Sequence, residues 1–214
     1  MESSSSSPPE SLPTAFFDRA DESDDAGFYL IPRLVTHIDA ATIATLTEYY
    51  RQVLPADADL LDLMSSWVSH LPPDVSYGQV AGLGMNAEEL SANPQLSEWI
   101  VHDLNRDPEL PYKDESLDAV LNAVSVQYLV RPVEVFESIR RVLRPGGLSI
   151  VAMSHRCFPT KATRVFQQLG GDDRLQLVSR YYQLAGGFED IQRLDRSPVG
   201  ADPLWLVSAR RVAR

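Results

Sequence analysis

The chain has 214 residues, 44% of them hydrophobic and 23% charged, with a formal net charge of −11. Length and composition suit one α/β domain with a short tail, and the acidity excludes a nucleic-acid surface, which needs clustered Lys and Arg against phosphates. No run is long and apolar enough to cross a bilayer, so neither nucleic acid nor a membrane is an expected partner, and the single Cys157 excludes an internal disulfide and fits a reducing, cytoplasmic compartment.

Residues 1–26 read as an acidic, Ser-rich tail. Its start, residues 1–11, is low in complexity and is expected to be disordered. Seven acids and one base, Arg19, fall in these 26 residues, so more than half of the net charge is local. A transit peptide would be Arg-rich and poor in acids, the reverse of this segment. Residues 27–214 read as the folded domain, opened by a lid and helix segment over 27–56. Residues 28–35 are apolar and extended near Pro32. Asp39 is placed to cap a helix to about Leu54, with Ile43, Leu46, Tyr50 and Val53 on one face.

The first strand is expected over 59–63, with Asp62 near its end. A strand closing on an acid is how the first strand of a nucleotide-binding sheet ends, and a glycine-rich turn should follow, because glycine lets the backbone approach a cofactor. Here the turn is Met64-Ser65-Ser66-Trp67-Val68, with no glycine. A short helix is expected from there to Leu71, ended by Pro72-Pro73. A second strand spans 79–83, and Asn86 is placed to cap a helix through about Ala92. Trp99-Ile100-Val101 is a third strand and 117–121 a fourth. Pro132 suits a first helical turn, with Val133, Phe136, Ile139 and Leu143 as a stripe. Arg144-Pro145-Gly146-Gly147 then reverses the chain into a strand over 148–153. Helices near 159–169 and 174–185 precede strands over 188–194 and 204–209. The layout is β-α repeated five times, then a closing hairpin.

Two segments carry a resemblance. Leu110-Pro111-Tyr112-Lys113-Asp114-Glu115-Ser116-Leu117-Asp118-Ala119-Val120 leads into the fourth strand, and Ile139-Arg140-Arg141-Val142-Leu143-Arg144-Pro145-Gly146-Gly147 forms the helix and turn before the fifth. Both, at this spacing, resemble the class I S-adenosylmethionine-dependent methyltransferases, in particular the small-molecule, type 11-like branch. The resemblance covers roughly residues 40–210. It implies a doubly wound, Rossmann-like α/β fold: a seven-stranded, mostly parallel sheet with a C-terminal antiparallel hairpin. It also implies S-adenosylmethionine as cofactor, lying across the carboxyl ends of strands one to four.

Three family contacts can be placed on this sequence. The loop after the first strand touches the amino-acid part of the cofactor, which assigns Asp62, Met64, Ser65 and Ser66. An acid ending the second strand grips the ribose, and Gly84 stands there instead, beside Met85 and Asn86. Losing such a charge-assisted contact of roughly 1.5–3 kcal/mol weakens binding by about tenfold to a hundredfold. Asn86 or Glu88 is a candidate to compensate, or Gly84 lets the backbone approach the ribose. An acid after the third strand meets the adenine amine, which assigns Asp103, with Leu104 beside it. Ser125 follows the fourth strand and joins the cofactor set.

Around that set stand candidates for the chemistry. His155 follows the fifth strand and is the first choice for a general base or substrate contact, with Tyr128 as a second catalytic candidate. Arg156, and Arg33 and His37 from the lid, are candidate substrate contacts; the planar fork of Arg33 suits a carboxylate or phosphate. Trp67 is a core or lid residue, His70 reads as a structural histidine, and His102 reads as either a structural or a site residue. At most one of Tyr181 and Tyr182 can face a pocket. The four histidines are scattered, with no metal-ligand spacing. The expected activity is methyl transfer from S-adenosylmethionine to a small molecule. The rival reading is a methyltransferase fold that has lost its cofactor and serves as a binding or scaffold protein, with Trp67 or Met64 filling the pocket. A nicotinamide-dependent oxidoreductase fits the 110–120 segment and the hairpin poorly.

Overall fold

The computed structural model describes residues 11–213, so residues 1–10 of the expected disordered start lie outside the described residues. Seven strands form one sheet: β1 (Leu60–Leu63), β2 (Val80–Gly84), β3 (Glu98–Val101), β4 (Leu117–Ala123), β5 (Leu143–Met153), β6 (Phe188–Asp195) and β7 (Trp205–Arg211). Their order is β3-β2-β1-β4-β5-β7-β6. The first five are parallel, and β7 runs antiparallel to both neighbours. This is the expected doubly wound sheet with its terminal hairpin. The strand order reverses between β1 and β4, which opens a crevice beyond their carboxyl ends.

The central strands are apolar on both faces because both faces are covered. Leu61, Leu63 and Val120 meet one core with Phe136, Ile139, Val178 and Tyr181. Leu60, Ala119, Leu121 and Ile150 meet the other with Leu46, Tyr50 and Leu204. The helices are α1 (Asp25–Phe28), α2 (Ala40–Val53), α3 (Ala87–Ala92), α4 (Pro132–Val142), α5 (Arg164–Gln168) and α6 (Gly171–Ala185). Asp39 caps α2 by accepting the Thr42 N–H at 2.9 Å, and Asn86 caps α3 by accepting the N–H groups of Glu88 and Glu89. Among the described residues no helix is long and apolar enough to cross a membrane.

Two features depart from expectation. First, the regular β-α alternation fails after β1 and after β3, where no helix forms. Side chains of this segment are engaged elsewhere: the hydroxyls of Ser65 and Ser69 both donate to Asp62 Oδ2, at 2.5 and 2.7 Å. His70 has φ 56° and two prolines follow, so no helical turn can propagate. Second, residues 11–26 do not form a tail. A 3₁₀ turn, Thr14–Phe17, and α1 pack onto the domain. Asp25 is buried beneath a bidentate bond from Arg19 Nη1, both distances 2.8 Å. Lys161, 0% exposed, lies 3.1 Å from Asp25 Oδ1 and 3.1 Å from Asp21 Oδ2 and donates to the Ser23 carbonyl at 2.8 Å. A buried ammonium needs such partners, since the desolvation cost is several kcal/mol per ion. Two of the acids that read as a charged tail, Asp21 and Asp25, are the partners of this lysine.

Candidate functional site

The crevice at the switch point is bounded below by the ends of β1, β2 and β4 and above by residues 25–38. Residues expected from the sequence line it: Asp62, Met64, Ser65 and Ser66 from the first loop; Gly84, Met85 and Asn86 from the second; Asp103 and Leu104 after β3; Ser125 after β4. Tyr128, Arg33 and His37 line it too, and so do Trp67, His70 and His102.

The loop after β1 solves its lack of glycine in an unexpected way. Met64 adopts φ 58°, the left-handed conformation that glycine would take without cost. This conformation costs a non-glycine residue roughly 1–2 kcal/mol. Val124, at the end of β4, has φ 51°, an outlier for a β-branched residue. With His70, three of the six non-glycine residues of positive φ among the described residues line the crevice. Such strain gathers at sites where the surroundings over-determine the backbone. The turn then leans on β2. Ser65 N–H donates to the Leu83 carbonyl at 2.7 Å, and a Cβ built on Gly84 would overlap the Ser65 carbonyl oxygen. The turn after β1 and the end of β2 are therefore packed against each other at Gly84, and no side chain fits there. This corrects the expectation that Gly84 lets backbone approach the ribose: the space over Gly84 holds the protein's own carbonyl.

Asp62, 4% exposed, lies under this loop. Burial pushes its carboxyl up to about 6, against the opposing effect of the Ser65 and Ser69 hydroxyls. Asn93 extends the network, donating from Nδ2 to Ser69 Oγ at 2.9 Å and to the Ser66 carbonyl at 3.0 Å. Asn86 is not free to replace the ribose acid. Its Oδ1 caps α3, and its Nδ2 donates to the Tyr29 carbonyl at 2.8 Å. Glu88 is exposed and does not line the crevice. The carboxylate that does is Glu89, 8% exposed, which accepts from Ser66 Oγ at 2.6 Å and from the Arg33 N–H at 2.7 Å. Sequence reasoning missed it. Asn86-x-x-Glu89 has the spacing of a capping box, which assigns the glutamate to the helix end.

Asp103 takes the Asn105 N–H on Oδ1 at 2.9 Å. His102 Nε2 lies 2.7 Å from the Asp107 carbonyl. Asn105 bonds Asp25 and the Tyr128 carbonyl through Nδ2. Ser125 Oγ is buried and has no hydrogen-bond partner among the described residues. Trp67 ties the loop to the lid, donating from Nε1 to the Val35 carbonyl at 3.0 Å.

Several candidates take other roles. His155 and Arg156 lie outside the crevice, more than half exposed, on Asp202: His155 Nε2 is 3.5 Å and Arg156 Nε 3.1 Å from Asp202 Oδ1. The carboxyl end of β5 is separated from the switch point by β4, so its first residues face solvent on the far side. Tyr128 lines the crevice with its ring stacked on Phe158, but its hydroxyl accepts the Phe158 N–H at 2.8 Å. Burial pushes this phenol up to about 12, so it is not a base near neutral pH. Arg33 offers no open fork. Its guanidinium sits 4.4 Å from the Phe28 ring centroid and donates to the carbonyls of Ile31 and Phe28. Tyr181 and Tyr182 are both buried in the core, and neither lines the crevice. Two imidazoles do. Burial lowers the pKa of His37, with Glu89 opposing and Arg33 adding to the shift. Burial, helped by His37, takes His70 down to about 4, and its Nδ1 lacks a partner.

Comparison with known proteins adds the following. Residues 66–151 match a family model described as a methyltransferase domain. The biotin biosynthesis bifunctional protein BioHC of Teredinibacter turnerae is 30% identical over 74 residues, which is 35% of this chain and 12% of that protein. The chain thus spans a small part of that relative's length. Among solved structures, one from Haloferax volcanii, of the complex between the Trm112 methyltransferase activator and a methyltransferase, aligns with a TM-score of 0.64 at 15% identity, covering 81% of this chain and 91% of the other. The [4+2]-cyclase SpnF aligns at 0.61 and 18% identity, covering 82% and 83%. Phosphoethanolamine N-methyltransferase 2 of Haemonchus contortus, in complex with S-adenosyl-L-methionine, aligns at 0.58 and 14% identity, covering 79% and 52%. At these identities the likeness is one of fold, and the fold hosts a cyclase as well as methyltransferases.

Proposed function

We propose that the chain is a class I S-adenosylmethionine-dependent methyltransferase, as the match of residues 66–151 to a methyltransferase domain supports, and that it transfers a methyl group from S-adenosylmethionine to a small molecule held beneath residues 25–38. The observation that carries this reading is the crevice itself. Its lining is largely apolar with polar groups set among it, and all three loop stretches, 64–66, 84–86 and 103–105, line it. The scaffold reading requires Met64 or Trp67 to fill that space. Both line it instead, with Trp67 bonded to the lid.

The residues present fit the cofactor on one further ground. Ser125 Oγ is a buried hydroxyl without a partner among the described residues, and it lines the crevice. A group of that kind calls for a ligand atom or an ordered water. Asp62 and the Met64–Ser66 loop would hold the amino-acid part of the cofactor, and Asp103 the adenine amine. When bound, S-adenosylmethionine supplies a methyl group on an electrophilic sulfonium. The chain's own work is alignment and the exclusion of water. Asp62, shifted to about 6, is mostly ionised at neutral pH and suits a cationic amino group. The lid segment roofs the crevice with Tyr29, Val35 and Phe158 from the facing loop, which favours a small acceptor. Where that acceptor must lose a proton, His37 is the uncharged base available to it, with Glu89 close enough to stabilise the imidazolium. A cytoplasmic location, resting on the lone Cys157, belongs to the same proposal.

Titration calorimetry with S-adenosylmethionine and S-adenosylhomocysteine tests this reading. Saturable binding of one, displaced by the other, is the expected result. No heat from either at millimolar concentration overturns it.

A further inference from the structure

Four carboxylates line the crevice: Asp25, Asp62, Glu89 and Asp103. Three of them have fixed duties. Asp25 is taken by Arg19, Lys161 and Asn105. Asp62 lies beneath the first loop and holds Ser65 and Ser69. Asp103 closes its own turn on Asn105 and is the acid after β3. Glu89 is the carboxylate that neither a buried cation nor a turn accounts for.

Its setting is unusual. In a capping box the glutamate would turn back to the N–H of Asn86. Glu89 bonds forward, to the first loop through Ser66 Oγ (2.6 Å) and to the lid through the Arg33 N–H (2.7 Å), one bond on each oxygen. A carboxylate has about four lone-pair sites. Two are used to fix its orientation, and two are left. A vicinal diol brings two hydroxyl donors. Glu89 also stands in the first turn of the helix that begins directly after β2, next to the position that Gly84 closes to any side chain.

Resting on the reading of an S-adenosylmethionine site, we infer that Glu89 binds the two ribose hydroxyls of the cofactor, taking over from an acid that cannot stand at position 84. The rebuilt first loop and the displaced acid then form one device. Ser65 occupies the space over Gly84, and Ser66, its neighbour, orients the replacement carboxylate.

The test is calorimetric binding of S-adenosylhomocysteine and of its 2′,3′-dideoxy analogue to the whole chain, wild type and Glu89→Gln. The amide keeps the shape and loses the charge and half of the acceptor capacity. Wild type is expected to prefer the diol-bearing ligand by about tenfold or more, the worth of charge-assisted hydrogen bonds. Glu89→Gln is expected to bind the dideoxy analogue as wild type does and to lose most of the preference. Equal binding of the two ligands by wild type overturns the assignment without any variant. Undiminished preference in Glu89→Gln overturns it as well. Absence of binding of either ligand to wild type overturns the cofactor reading itself and this assignment with it, a result distinct from binding without discrimination.

Discussion

The loop after β1 and the loop after β5 leave the same edge of the sheet and meet different fates. The first has no glycine and holds Met64 at φ 58°, and every residue from Met64 to Val68 lines the crevice. The second opens with Ser154-His155-Arg156, residue types that invite a catalytic reading, and His155 and Arg156 end on the surface beside Asp202. It reaches the site only later, through Phe158 on the wall and Lys161 beneath the lid. Residue chemistry at a strand end is therefore a weak guide to function. Position relative to the switch point decides, and backbone shape outlasts the residue type that usually provides it.

The contrast can be broken most severely at Gly84. Gly84→Asp, which restores the acid the family carries there, should drive a side chain into the Ser65 carbonyl and destabilise the fold by more than about 3 kcal/mol in denaturant unfolding. Wild-type stability in that variant would show that the two loops are not coupled. On the other side, Lys161→Met leaves the buried Asp25 with Arg19 as its remaining cation and takes the partner of the part-exposed Asp21. A loss of about 2–3 kcal/mol is expected, with faster hydrogen exchange confined to residues 11–30.

Asp62 gives the pH test. Its carboxyl rises from 3.8 to about 6 in the fold, so the native state holds a proton more tightly than the unfolded chain does. The penalty of ionising it is absent below pH 4, grows as pH rises through 4 to 6, and is complete above that. Asp62→Asn should remove this pH dependence and leave the fold more stable at pH 7 by roughly 1–3 kcal/mol. The same variant should bind S-adenosylhomocysteine at least tenfold more weakly, the mark of a site that gives up stability for function. Wild-type affinity should fall as pH drops below about 6.

Smaller effects sharpen the picture. Met64→Gly should be more stable than Met64→Ala by about 1 kcal/mol, because only glycine takes positive φ freely; the reverse order would deny the strain. Smallest of all, His155→Ala should change stability by less than about 0.5 kcal/mol and leave cofactor affinity untouched, as befits an exposed contact.

Much of the fold was legible because it rests on local signals. Apolar runs gave the strands, Asp39 and Asn86 gave caps, and the 110–120 and 139–147 segments gave the architecture. The residues that line the crevice from β1, β2 and β4 followed from strand ends. What was not legible depended on contacts distant in sequence. The stretch from Ser65 to Leu71 looks like a short helix until Asp62 is seen to claim the hydroxyls of Ser65 and Ser69. Residues 18–25 look like a solvated acidic run until Lys161, far along the chain, is placed among them. Glu89 looks like half of a capping box, and only the lid and first loop reveal where its oxygens point.

The buried Lys161 has a consequence for the order of assembly. Its bond to Ser23 spans 138 residues of sequence, among the longest separations in the fold. Loop closure of that length is slow, and on the ribosome residues 21–25 must wait until most of the sheet has been made. The roof of the crevice is thus made before the sheet it covers and is one of the last parts to dock. A nascent chain halted before residue 161 would carry β1 to β5 and an open floor, with its own acids still in water.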